Sequence, residues 1–132
     1  MQALLFVLAL LPADPPARPD DAVIVSRLID AMKDTDVEVR QNLGAALAKL
    51  PLDSVGPLAA ALKDPNPARR AGAAYALGLI GEPAAAALPG LLDALADADL
   101  EVRRQASQSV GRVLTAGRRR GPAVVPVAGG RK

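Results

Sequence analysis

The sequence predicts an all-α protein, a short right-handed α-solenoid of three helical hairpins with about six helices. Three observations lead there. Half of the 132 residues are apolar, yet they are mostly Ala, Leu and Val, with one Phe, one Tyr and no Trp. Ala and Leu are strong helix formers, whereas a strand-rich core draws on β-branched and aromatic side chains. A stretch of 23 residues then recurs three times without a gap, at offsets of 30 and 33 residues. Finally, 12 Pro and 11 Gly punctuate the chain, so the helices should be short.

The three copies are LIDAMKDTDVEVRQNLGAALAKL from Leu28, LAAALKDPNPARRAGAAYALGLI from Leu58 and LLDALADADLEVRRQASQSVGRV from Leu91. Each should open with a first helix, A. Leu28, Leu58 and Leu91 align, with Ala31, Ala61 and Ala94 three residues on and Met32, Leu62 and Leu95 four residues on. That spacing lays one apolar stripe along a helix. Asp34, Asp64 and Asp97 follow, and then Asp36, Asn66 and Asp99, short polar side chains suited to ending one helix and capping the next.

The second helix, B, begins with the column Arg40, Arg70 and Arg103. Behind it run Leu43, Ala73 and Ala106, then Gly44, Ala74 and Ser107, then Leu47, Leu77 and Val110, ending on Leu50, Ile80 and Val113. Small residues in this run let two helices approach closely. A single hairpin cannot bury both of its apolar faces, but a stack of three can. The repeats are expected over about 21–50, 54–80 and 83–116 within a block spanning 20–117.

The flanks differ from the block. Ala3 to Leu11 reads ALLFVLALL, uncharged but far short of the ~20 residues that a membrane span needs. No transmembrane segment is expected. With the Pro-rich run that follows, residues 1–19 are expected to be a signal peptide and linker, cleaved near Ala13 or Ala17. This expectation places the protein outside the cytoplasm, in a periplasm or secreted; the alternative is a cytoplasmic protein with an N-terminal helix. Residues 118–132 alternate Gly and Pro with basic residues and are expected to form a flexible basic tail.

Charge follows the same division. From Asp20 to Gly117 there are ten Lys and Arg against thirteen Asp and Glu, a balance of −3, while 118–132 carries five basic residues and no acidic one. The repeat block is therefore not a basic nucleic-acid-binding domain, and weak binding through Arg118, Arg119 and Arg120 is the nucleic-acid alternative. The chain has no Cys and no His. It thus lacks thiol nucleophiles, imidazole bases and the usual zinc ligands. Gly78, Gly81 and Gly90 have no P-loop context, and the carboxylates are scattered. No enzymatic activity, metal or cofactor is expected.

At the repeat residues the chain resembles the HEAT-like repeat family, in the variant seen in phycobilisome-lyase-type proteins. The resemblance rests on Asp36, Val39 and Arg40 in the first repeat, on Arg70, Ala73, Ala74, Ala76, Leu77, Gly78, Ile80 and Gly81 in the second, and on Asp99, Val102, Arg103, Ala106 and Gly111 in the third. The second repeat departs from the pattern at Arg69, where the others have Val. The resemblance implies an armadillo-type fold whose B helices line a concave face. On that face one row comprises Gln41, Ala45 and Lys49, then Ala71, Tyr75 and Leu79, then Arg104, Gln108 and Arg112. Gln41, Lys49, Tyr75, Leu79, Arg104, Gln108 and Arg112 are the candidate binding residues, and the expected partner is a protein or peptide. The alternative that the resemblance carries is an accessory lyase or chaperone for a chromophore-bearing protein. The Asp and Arg columns, recurring once per repeat, are expected to be scaffold joints rather than a catalytic site.

Overall fold

The computed structural model describes residues 19–34 and 36–119. The expected signal peptide and most of the basic tail lie outside the described residues. Six α-helices and one 3₁₀ helix fill the described part, with no strand among its residues. The first hairpin is α1 (Asp21–Ala31) and α2 (Val37–Lys49), and the second is α3 (Val55–Ala61) and α4 (Pro67–Ile80). The third comprises η1 (Glu82–Ala87), α5 (Leu88–Ala94) and α6 (Leu100–Arg119).

The third A helix is therefore not one uniform helix. Gly81 leaves α4 at φ 76°, a conformation that favours glycine, and Pro83 sits in the first turn that follows. Pro89 falls one turn later, at the start of α5. Proline is tolerated in a first turn but not in a helix interior, so the segment divides into two first turns. A second difference lies at the C-terminus, where α6 continues through Gly117 to Arg119. Arg is a good helix former, and the next Pro is at 122.

The middle hairpin carries the core. The α4 helix packs against α2 on one side and α6 on the other. It buries Ala71, Gly72, Ala73, Ala74, Ala76, Leu77 and Gly78, small residues for the most part, so neighbouring elements approach its backbone closely. A Cβ on Gly44 would lie 2.8 Å from Tyr75 Cδ1, and one on Gly78 would lie 2.9 Å from Ser109 Cβ. Ser109, 1% exposed, donates its hydroxyl to the Ala74 carbonyl at 2.5 Å. The B helices thus interlock through small residues in one helix receiving a side chain from the next.

Burial along a repeat column depends on whether a neighbour follows. Met32 is fully buried and Leu62 is 5% exposed, but Leu95, in the same column, is 40% exposed. The apolar stripe expected at Leu95 is real in sequence, but no repeat among the described residues packs over it. The same logic in reverse exposes Val39 and buries Val102, which packs with Ala71, Ala94 and Ala106.

This geometry predicts opposite signs for two glycine substitutions. G78A drives a methyl into the Ser109 backbone, where Cα is only 3.0 Å away, and should destabilise by about 1–3 kcal/mol despite the gain in helix propensity. G111A meets nothing within 4 Å and should stabilise by up to about 1 kcal/mol. Chemical denaturation of both variants checks the contrast.

Candidate functional site

Each A-to-B turn is built the same way. Asp34, Asp64 and Asp97 use a carboxylate oxygen to accept the backbone N–H two residues ahead, at 2.8–2.9 Å. Asp36, Asn66 and Asp99 then cap the B helix, accepting from Val39, from Ala68 and Arg69, and from Val102 respectively. The repeat arginine folds back over this turn. Arg40, Arg70 and Arg103 each donate Nη1 to the carbonyl of Asp34, Asp64 and Asp97, at 2.9, 2.9 and 2.8 Å. Turn carbonyls that the helices leave unpaired are satisfied in this way.

Arg70 also reaches across to the next repeat. Its Nε donates to Asp97 Oδ2 at 2.8 Å and its Nη2 to Asp97 Oδ1 at 3.0 Å, a two-pronged bridge between the second and third hairpins. The pair is mostly buried, with 18% and 13% of the two side chains exposed. The Arg70 hydrogen bonds hold the Asp97 carboxyl below its ordinary range, and Asp97 in turn raises Arg70. Asp64 is lowered too, first by the Asn66 backbone N–H and further by Arg69.

Arg69 explains the departure from the repeat pattern. In place of Val it provides a guanidinium that meets Asp64 at 3.0 Å and Asp30 of the first hairpin at 3.1 Å. The tie bounds a cavity of about 390 Å³ between α1 and α3, lined by Val25, Ile29, Ala61, Asp53 and the ion-paired residues. The substitution at Arg69 was visible in the repeat alignment. Its partner Asp30 was not, because Asp30 lies on the A helix of another repeat, in a column that reads Asp30, Ala60 and Asp93 and follows no Arg69-like position.

The candidate row falls into two parts. Gln41 and Tyr75 meet at the start of the B helices, beside Arg40, Ala71, Glu101 and Gln105, around a slot of only about 10 Å³. This is room for about one water molecule. Tyr75 is half-buried, with its ring against Gly44. Leu79 and Arg112 meet at the other end, around a groove of about 370 Å³ shared with Ile80, Thr115 and Ala116. Leu79 is 39% exposed, and Lys49, Gln108 and Arg112 are exposed. Arg104 is exposed but lies 3.7 Å from Glu101. The structure thus joins Gln41 to Tyr75 and Leu79 to Arg112, without gathering all seven residues around one cavity.

Among the described residues there is no group of three or more acidic side chains positioned to hold a metal ion. Nor is any helix among them long and apolar enough to cross a membrane.

Stacked helical hairpins, each with an arginine folded over its turn and a varied surface on its B helix, define a short α-solenoid. Residues 25–111 match the family model for HEAT repeats, and the chain belongs to that family. HEAT repeats commonly mediate protein–protein interaction and are typically non-enzymatic scaffolds. No curated protein matches the sequence significantly.

The joint makes a pH prediction. A carboxylate held below its ordinary value contributes stability that is complete above that value and is lost as pH falls through the lowered one. D97N should therefore cost about 1–3 kcal/mol at neutral pH. The gap to the parent should close as pH drops below the ordinary carboxylate value of 3.8. Urea unfolding at neutral and acidic pH checks both limbs.

Proposed function

We propose that this chain is a binding scaffold whose B-helix face holds an acidic protein or peptide segment. The observation that carries the reading is the charge and exposure of the B-helix row. Its nine positions contain Lys49, Arg104 and Arg112 and no acidic residue, although 20–117 as a whole has a balance of −3. A cationic strip on an acidic body selects against most of its surroundings and steers a negatively charged segment toward itself. Beside Arg112, the exposed Leu79 and the 370 Å³ groove offer apolar surface for a side chain of that segment. An apolar anchor next to an arginine is the composition enriched at energetically important contacts. Tyr75, resting on Gly44, contributes by setting the spacing of α2 and α4 beneath the row.

A peptide array varying acidic and apolar positions identifies a ligand, and fluorescence anisotropy measures its affinity. The double variant L79S/R112A should weaken binding about tenfold or more, and added salt should weaken it further. L92S, on α5, removes a still more exposed leucine outside the row and should leave affinity unchanged. Equal affinity for the parent and L79S/R112A contradicts the proposed face.

A further inference from the structure

The joint that links the second hairpin to the third is half-present again at the C-terminal end of the stack. At the internal joint, Arg70 grips Asp97 with Nε and Nη2 while its Nη1 holds the turn carbonyls of Asp64 and Pro65. Arg103 repeats the second half of that arrangement, with Nη1 on the carbonyls of Asp97 and Ala98. Its Nε and Nη2 have no partner among the described residues. Gly78 and the Ala74 carbonyl receive Ser109 of the next repeat. Their counterparts on α6 are Gly111, with nothing within 4 Å of a Cβ there, and Ser107, which is exposed. Leu95 lies open where Met32 and Leu62 are covered.

The N-terminal end of the stack carries the complementary half. Asp34 occupies the column of Asp97, and Ala46 the column of Ser109. Glu38 occupies the column of Glu101, which lines the same slot as Ala71 of the preceding repeat. The counterpart of Ala71 on α6 is Arg104, whose side chain is 65% exposed. One further step of the repeat operation therefore places Arg103 on Asp34 and Arg104 near Glu38, with the small Ala46 over Ser107 and Gly111.

We propose that the C-terminal end of the stack docks the N-terminal end of a second copy of this chain, extending the solenoid head to tail. The occupant is identified by charge complementarity at two positions and by continuity with the internal joint. Because the two surfaces differ, the contact is heterologous and does not close on itself, so copies add in a row instead of stopping at a dimer.

Sedimentation velocity of the full chain over a concentration series tests this. The mass should rise with concentration past that of a dimer. G111L should weaken association about tenfold by blocking the close approach, while melting no lower than the parent because its site is open in the single chain. R104E and E38R should each weaken association by about tenfold, through like charges at the contact, and a 1:1 mixture of the two should restore it in alternating order. A chain that stays at monomer mass up to millimolar concentration overturns the proposal. So does association that G111L leaves unchanged, or that the mixture fails to restore.

Discussion

The bridge from Arg70 to Asp97 is the point at which a set of helical hairpins becomes one stack. Its geometry depends on everything upstream. Asp64 and Asn66 shape the turn, the turn presents two carbonyls, and those carbonyls orient the guanidinium so that its remaining edge faces the next repeat. Asp97 is in turn shaped by its own turn, accepting the Asp99 N–H with the same carboxylate that receives Arg70. A planar fork meeting a carboxylate in two parallel bonds specifies an orientation as well as an attraction. The first joint uses other means: Arg69 ties Asp30 to Asp64, and Met32 fills the space above Gly72.

Packing then follows from the spacing that these joints set. The central α4 helix is nearly all Ala, Gly and Leu on its buried faces, because it is flanked by both neighbouring B helices. The outer helices carry more polar and more exposed surface. In a solenoid, stability is close to a sum of hairpin terms and nearest-neighbour terms. Among the described residues the second hairpin therefore gains from two interfaces and the first and third from one each, which the exposure of Leu95 and Val39 against the burial of Leu62 and Val102 records directly.

The architecture was legible in the sequence because the repeat register carries it. Aligning Asp36 with Asn66 and Asp99 identified three N-caps, and aligning Arg40 with Arg70 and Arg103 identified the arginines that fold over each turn, of which Arg70 also bridges to the next repeat. What the register could not supply was whatever breaks it. The 3₁₀ turn at Glu82–Ala87 arises from the local spacing of Gly81, Pro83 and Pro89 in one repeat alone. The Arg69 tie depends on an aspartate from another helix. Column arithmetic also treats every copy as if it had neighbours, and so assigns Leu95 to the core. For the candidate row, sequence placed Tyr75 and Leu79 on successive turns of one helix. It gave no measure of the space beside each, which is about 10 Å³ at the first and 370 Å³ at the second.

The arginine and aspartate columns therefore order the turns, and Arg70 with Asp97 also joins two repeats, while the proposed binding lies on the varied surface between them. A double-mutant cycle on R70A, D97A and R70A/D97A, read by urea unfolding, tests this most directly. Each single change also removes contacts within its own turn, and these cancel in the cycle. A coupling of about 1–3 kcal/mol is predicted for a largely buried two-pronged bridge. Additivity within about 0.5 kcal/mol would contradict the account, because the two residues would then stabilise their own turns without joining the repeats.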